Sequence, residues 1–473
     1  MKTDKEILLR NLFENWAGEK AENVLPLTAH GSNREYYRII GGKKQAIGAY
    51  NPDLAENKAF ISFSRHFKKM GLNVPEVYAE NLENHVYLVQ DLGDITLFDF
   101  RNSKNGFTGE VNAVYEHVID ILPEFQIRAR KGLDFSICFP RDRFDRQSMQ
   151  WDLNYFKYYF LKPAAIAFHE QELENDFQSL TDFLLTADQD YFLYRDFQSR
   201  NIMIYEGQPY FLDYQGGRKG SLHYDLASLL FDAKADIPPE QRNALLERYI
   251  KRAGGIITID RQKFIAHYYG YVLIRILQAL GAYGYRGFYE RKTHFLQSVP
   301  FAQKNIAWLL DNNKIPVKLP ALMDVLQKIA DRKFVDLDTQ DDGRLTVRIY
   351  SFSYKKGLPQ DDSGNGGGFV FDCRFLPNPG RYPEYKNLTG SDAEVIKFLE
   401  KEPAVHQFMQ STQTIVDNAV DNYLSRRFNH LMVCFGCTGG QHRSVYFADR
   451  MAAFLKNKYN INVILKHRER DTA

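Results

Sequence analysis

Tyr191-Phe192-Leu193-Tyr194-Arg195-Asp196-Phe197-Gln198-Ser199-Arg200-Asn201, followed by Ile202-Met203-Ile204-Tyr205 and Tyr210-Phe211-Leu212-Asp213, decides how the chain reads. The apolar run Tyr191 to Tyr194 delivers Asp196 onto a loop, and Asn201 opens a second apolar run five residues later. Glu206-Gly207-Gln208-Pro209 is a turn, and Tyr210-Phe211-Leu212 reads as a returning strand that ends at Asp213. Asp, Asn and Gly cap many hairpins with no chemistry attached. Here Asp196 and Asn201 stand at one mouth and Asp213 at the same end. Phosphoryl transfer needs a carboxylate to orient the attacking hydroxyl, and oxygen ligands to hold Mg²⁺ against nucleotide phosphates. Asp196 suits the first role; Asn201 and Asp213 suit the second.

Arg-Asp-Phe-Gln-Ser-Arg-Asn-Ile-Met, with Phe-Leu-Asp-Tyr-Gln after it, resembles the catalytic segment of the aminoglycoside-phosphotransferase-like kinases. It is closest to the branch containing the anomeric N-acetylmuramate/N-acetylglucosamine kinases. The resemblance runs over about residues 5–330. It implies an α+β, protein-kinase-like bilobal domain over residues 1–335, with an N-lobe over about 1–90 and a C-lobe over about 95–335. It also implies ATP and Mg²⁺ as cofactors and a sugar or amino-sugar hydroxyl as acceptor. Gln90-Asp91-Leu92-Gly93-Asp94 is similar to the family's inter-lobe linker, which presents backbone groups to adenine. In Leu222 to Leu230, a helical run, the resemblance makes Asp225 the residue that braces the catalytic loop.

Upstream, Ile7, Leu8, Leu12, Phe13 and Trp16 have helical spacing. The small polar turn Gly31-Ser32-Asn33, followed by Arg34 and an alternating run, predicts a hairpin placed to cover nucleotide phosphates. In the next strand, Gln45 to Tyr50, such kinases commonly carry a phosphate-pairing lysine, and Gly48 stands there instead. Lys43 and Lys44 fall too early, which leaves Arg34 or Arg38 as the substitute cation, or else a poor catalyst. Glu56, on a helix expected over Ala55 to Met70, matches the lysine's usual partner. The candidate nucleotide-binding residues are therefore Ser32, Asn33, Arg34, Glu56, Gln90, Asp91 and Leu92.

A chain of 473 residues holds two or more domains. Its net charge of +2 selects no polyanionic partner, although residues 344–473 carry 18 Lys/Arg against 13 Asp/Glu. The first ten residues lack an apolar signal core, and no run of about 18 apolar residues occurs, so no membrane association is expected. Four cysteines make no disulfide framework and point to a reducing cytoplasm.

The Asp- and Gly-rich stretch Asp336 to Arg344 reads as a domain boundary, and Ser363 to Gly368 as a loop between the strands Thr346–Tyr350 and Phe369–Asp372. Beyond it, Leu431 to Cys437 is a buried-strand run, followed by Thr438-Gly439-Gly440-Gln441-His442-Arg443-Ser444 and a helix expected over Val445 to Lys456. A strand, a Gly-bearing loop and a helix start aim backbone N–H groups at an anion. Arg443 adds a bidentate charge, and Thr438 and Ser444 add hydroxyls. Cys437-x5-Arg443-Ser444 also satisfies the spacing of cysteine-dependent phosphatases, in which a thiolate attacks phosphorus. The Cys434-x2-Cys437 pair has no second pair to complete a zinc site.

Phe369-Val-Phe-Asp-Cys-Arg-Phe-Leu-Pro-Asn-Pro379, Leu388-Thr-Gly390 and Gly436-Cys-Thr-Gly-Gly-Gln-His-Arg-Ser-Val445 resemble the C-terminal domain of the RNase adapter RapZ. That resemblance implies a smaller α/β domain over residues 340–473, binding a sugar phosphate such as glucosamine-6-phosphate and, in the family, a small regulatory RNA. Arg374, Cys437, Thr438, Gly439, Gly440, His442, Arg443 and Ser444 form the expected anion site. RapZ carries an N-terminal P-loop domain, and no G-x4-G-K-[ST] occurs here. The basic tail (Lys466, Arg468, Arg470) keeps an alternative open: an RNA-binding adapter with a regulatory or inactive kinase-like domain.

Overall fold

The computed structural model describes residues 4–27, 34–104, 106–290, 292–312, 314–332, 334, 344–359, 361, 367–426 and 428–470. They fall into two units, one of Met1–Tyr285 with Ser298–Phe334, the other of Arg286–Gln297 with Val335–Ala473. Ser32 and Asn33, the expected boundary before Arg344 and most of the expected loop Ser363–Gly368 lie outside the described residues.

The first unit opens with α1 (Asp4–Ala17) and the strands β1 (Ala21–Pro26), β2 (Glu35–Gly41) and β3 (Gln45–Tyr50). Then follow α2 (Leu54–Lys69), β4 (Val77–Asn81) and β5 (Val86–Val89). The strands form an antiparallel sheet in the order β1-β2-β3-β5-β4. Strand side chains alternate between faces. On one face Ile39, Ala46, Val86 and Leu88 bury the α1 residues Leu9 and Phe13. On the other lies α2, which Asp53 caps by accepting the Glu56 N–H at 3.1 Å. Its Phe60 stacks on Tyr214, and Phe67 packs edge-on against Phe125, Phe192 and Tyr214. The aromatic residues around Asp213 are thus what hold α2 against the Tyr191–Asp213 segment.

The helical part of this unit comprises α3 (Leu97–Ser103), α4 (Gly109–Pro123), α5 (Arg146–Phe156) and α6 (Glu170–Leu184). Four short strands follow: β6 (Tyr191–Leu193), β7 (Ile202–Tyr205), β8 (Gln208–Phe211) and β9 (Arg218–Gly220). It closes with α7 (His223–Leu230), α8 (Pro239–Gly254), α9 (Arg261–Gly284), α10 (Val299–Asp311) and α11 (Pro320–Asp331). β7 and β8 pair antiparallel through a two-residue turn, Glu206 (φ 51°) and Gly207 (φ 74°). Two left-handed residues suit the strand twist, so β8 starts at Gln208, two residues before the expected Tyr210. Pro209 is tolerated because a two-stranded ladder is all edge.

The second unit contains β10 (Thr346–Ser353), β11 (Phe369–Asp372), α12 (Ala393–Glu400), α13 (Pro403–Ser425), β12 (His430–Cys437), α14 (Arg443–Lys458) and β13 (Asn462–His467). Its sheet is parallel, in the order β11-β12-β10-β13. β12 is buried along its whole length, as a continuous apolar run in a parallel sheet must be. Val347, Ile349, Val433 and Phe435 pack with Val395, Val416, Phe447 and Leu455 from the helices. Among the described residues no helix is long and apolar enough to cross a membrane.

Candidate functional site

Asp196 sits on the loop between β6 and β7, and the loop is tied down from three sides. The buried Asp225, at the start of α7, accepts the backbone N–H of Tyr194 at 2.8 Å and of Arg195 at 2.9 Å. Gln126 donates to the same carboxylate at 2.9 Å. Burial pushes the Asp225 pKa up to about 6, although those three donors favour the carboxylate. Arg195 takes a left-handed backbone (φ 83°), and its guanidinium forms a bidentate pair with Asp152 of α5 at 2.7 and 2.8 Å. On the far side, Ser199 donates to Asp232 at 2.5 Å.

These braces leave Asp196, Asn201 and Asp213 together. The Asn201 amide donates to the Asp196 carbonyl at 2.9 Å and to Asp213 Oδ2 at 3.2 Å. Gln215 donates to Asp213 Oδ1 at 2.5 Å, and the Leu212 N–H closes the hairpin mouth on Asn201 O at 2.9 Å. Burial raises the Asp196 pKa, the neighbouring Asp213 raises it further, and Arg195, Arg275 and Arg218 pull it down. The spacing read from the sequence does bring the three residues into one site. Asp152, Gln126, Gln215 and Asp232 were missed. Gln215 lies inside the quoted motif, whereas the other three have no local signal.

Across the cleft, Arg34 lies 2.6 Å from Glu56 Oε1 and 4.0 Å from Asp213 Oδ1, with its side chain 3 % exposed. Asn51 holds the other Glu56 oxygen at 2.7 Å. Arg34, the residue before β2, lies on the same side as Tyr36, whose hydroxyl it meets at 3.1 Å, and Tyr36 pairs with Ala49 of β3. The reading of Gly48 as the vacant lysine position is therefore corrected. A Cβ at Gly48 would point at Leu9 and Ile39, 2.9 Å away, on the α1 side. The residue of β3 that faces Arg34 is Ala49. Arg38 is removed as the substitute cation: it is paired with Asp91 at 2.7 Å and Asp94 at 2.8 Å. Asp91 also accepts the Gly93 N–H at 2.9 Å, so its carboxylate braces the linker. The Gln90 N–H is committed to Glu76 O at 2.9 Å, and Leu92 is buried.

In the second unit, Cys437 ends β12 with its sulfur 3.1 Å from Ser444 Oγ and accepting the Gly440 N–H at 3.2 Å. Gly440 is left-handed (φ 71°), which turns the loop into α14. The helix begins at Arg443, two residues before the expected Val445. Arg443 is 3 % exposed, and burial lowers its pKa. One of its nitrogens donates to Arg374 O at 2.7 Å and Leu376 O at 2.9 Å, while its buried Nε has no partner among the described residues. Arg443 thus fixes the strand-exit segment through Nη1, while its Nε and Nη2 make no hydrogen bond among the described residues. His442 meets Tyr385 O at 2.8 Å, and Ser353 donates to Thr438 O at 2.7 Å. Gly439 has open space beside it. Arg374 is turned outward onto Asp372 at 2.6 Å and stacks on Tyr354. In the tail, Arg468 donates to Gly357 O at 3.0 Å and Arg470 to Ser391 Oγ at 3.3 Å.

A five-stranded sheet with a helix across each face, a helical lobe and a braced Asp-x4-Asn hairpin define a protein-kinase-like phosphotransferase fold, here followed by a parallel α/β domain. The chain belongs to the phosphotransferase enzyme family, whose model matches residues 23–262. Residues 345–471 match the RapZ C-terminal domain. A nucleotide-binding protein of Nitrosomonas eutropha is 39 % identical over 137 residues, 29 % of this chain and 45 % of that protein. One from Thermotoga neapolitana is 42 % identical over 127 residues, 27 % of this chain and 43 % of that protein. The chain spans less than half the length of these curated relatives. The solved choline kinase LicA from Streptococcus pneumoniae is 14 % identical, covering 64 % of this chain and 100 % of that one at a TM-score of 0.41. A choline kinase from Cryptosporidium parvum is 11 % identical, covering 66 % and 98 % at a TM-score of 0.46.

Proposed function

We propose that residues 1–335 are a cytoplasmic, ATP- and Mg²⁺-dependent kinase acting on a sugar or amino-sugar hydroxyl, and that residues 340–473 bind a sugar phosphate. The observation that carries the kinase reading is the convergence of Asp196, Asn201 and Asp213 from one side with Arg34 and Glu56 from the other. Asp196 orients the acceptor hydroxyl and receives its proton. Asp225, by holding two backbone N–H groups, keeps that loop in register. Arg34 supplies the cation that pairs with nucleotide phosphates, positioned by Glu56. Mg²⁺ takes oxygen ligands and usually keeps water and phosphate oxygens alongside one or two protein groups. Asp213, whose side chain is 41 % exposed, and the Asn201 side-chain oxygen fit that need. The metal would neutralise charge developing on the transferred phosphoryl group.

The C-terminal reading rests on the loop after Cys437, where the start of α14, the Gly440 turn and the unpartnered Nε of Arg443 offer donors to an anion. Glucosamine-6-phosphate is the proposed ligand. The decisive experiment incubates the protein with Mg-ATP and a panel of sugars, amino sugars and choline, and weighs the products. A mass gain of one phosphate on a sugar supports the reading, and phosphorylation of choline alone, or of nothing, refutes it.

A further inference from the structure

The partners that remove Arg38 from the phosphate end of the cleft give it a fixed and unusual presentation. Its Nε donates to Asp91 Oδ2 at 2.7 Å, and its Nη2 to Asp91 Oδ1 at 3.1 Å. Nη2 also donates to Asp94 Oδ1 at 2.8 Å and to Gly93 O at 3.3 Å, while Nη1 donates to Asp94 Oδ2 at 3.1 Å. Two carboxylates thus grip one guanidinium by its edge, where its N–H groups point. What remains for a ligand is the flat face, and the side chain is 19 % exposed. One cation against two carboxylates leaves this corner net negative, which disfavours a phosphate. A flat π-system is the ligand that such a face suits.

The position of Arg38 on the sheet narrows the choice. Tyr37 and Ile39 of β2, Ala46 of β3 and Leu88 of β5 belong to the core around α1. Their alternates therefore lie on the opposite face. There Arg38 is in register with Ile47, and Ile47 with Val89, the last residue before the linker that holds Arg38. Ile47 is half-buried, so a partly exposed apolar side chain stands next to the clamped guanidinium.

Arg34 lies on the same side of the sheet, four residues back, or about 13 Å at the rise of a strand. Along β2, one end thus carries a cation 4.0 Å from Asp213, and the other a flat cation beside an apolar side chain. An extended nucleoside triphosphate spans a comparable length from terminal phosphate to base. Anchoring the linker is the rival role for Arg38. It accounts for the contacts at the guanidinium edge and makes no use of the exposed face.

We propose that Arg38, with Ile47 beside it, stacks on the nucleobase of the phosphoryl donor and favours a purine, whose larger ring system covers more of that face. This rests on the kinase reading given above and adds to it a residue that recognises the base.

The test titrates the full-length protein by calorimetry with the Mg²⁺ complexes of ADP, etheno-ADP, CDP and tripolyphosphate. Etheno-ADP keeps the face of the base but loses the edge groups that hydrogen-bond to a linker, and tripolyphosphate has no base. The wild type should bind ADP at least ~5-fold more tightly than CDP, with etheno-ADP also ahead of CDP. Arg38→Ala should lose about 5- to 30-fold for ADP, by a similar factor for etheno-ADP, and nothing for tripolyphosphate. Arg38→Lys keeps the charge but not the plane, and should fall with the alanine variant. Thermal melts check that both variants fold; if neither does, the wild-type order of the three nucleotides decides. A loss confined to ADP, with etheno-ADP binding unchanged, assigns Arg38 to the linker alone and overturns the proposal. So do an equal loss for tripolyphosphate, ADP binding that ignores Arg38, failure of etheno-ADP to bind the wild type, or a preference for CDP. If the wild type binds none of the four probes, the kinase reading falls and the proposal with it; ADP binding that is indifferent to Arg38 sinks the proposal and leaves the kinase reading standing.

Discussion

Arg34 stands where a lysine on β3 is the expected phosphate partner, and moving the charge between strands tests that substitution. Arg34→Ala removes a cation 2.6 Å from Glu56 and 4.0 Å from Asp213. At an effective dielectric constant of about 20, one unit pair at 4 Å is worth ~4 kcal/mol. The Glu56 and Asp213 side chains are 26 % and 41 % exposed, so solvent screening reduces the net effect to about 1.5–2 kcal/mol. A nucleotide phosphate at a similar distance would meet the same screened charge, so we expect kcat/KM for ATP to fall roughly 10- to 30-fold. Ala49 lies opposite Tyr36, on the face that Arg34 shares. Adding Ala49→Lys to Arg34→Ala should restore most of the loss. Adding Gly48→Lys instead is the control, because its side chain would run into Leu9 and Ile39 and lower the melting temperature without rescue. Steady-state kinetics against ATP, with thermal melts, read all three variants. Rescue by Gly48→Lys and not by Ala49→Lys, or wild-type kcat/KM in Arg34→Ala, would refute the reasoning.

Asp196→Asn should cut turnover by about 10²-fold or more while Mg-ATP still binds, measured by kinetics and calorimetry. Asp213→Ala should weaken Mg²⁺-dependent nucleotide binding more than Asn201→Ala, since the carboxylate brings charge as well as an oxygen; the reverse order contradicts the metal assignment. Asp225 has its pKa raised to about 6 from an ordinary 3.8, so its stabilising contribution is present below about pH 4 and is lost as pH rises through 6. Urea unfolding should accordingly show Asp225→Asn gaining up to ~3 kcal/mol relative to wild type between pH 4 and pH 7; a flat difference would be inconsistent. In the C-terminal domain, Arg443→Ala in the full chain should lose glucosamine-6-phosphate affinity by about 10- to 100-fold, and phosphate release that depends on Cys437 would replace the sugar-phosphate-binding reading with a phosphatase.

What the sequence determined by itself is whatever depends on neighbours along the chain. Asp196, Asn201 and Asp213 fall within one strand-loop-hairpin, so their spacing fixes their meeting as soon as Ile202–Tyr205 pairs with Gln208–Phe211. The loop after Cys437 is likewise a continuous strand-turn-helix, legible from a buried apolar run and two glycines. The tertiary structure alone decided which face each strand turns to the cleft. Side chains alternate with a period of two, so an error of one residue, Gly48 for Ala49, exchanges the Arg34 side for the α1 core. The partners of Arg34 and Arg38 followed from the same choice. Asp152 meets Arg195 and Gln126 meets Asp225 from remote helices, and Arg443 is held by the carbonyls of Arg374 and Leu376. Such contacts are set by how helices and sheet pack. Local periodicity carries no trace of them, because the residues concerned satisfy their own element's pattern whichever distant group they reach.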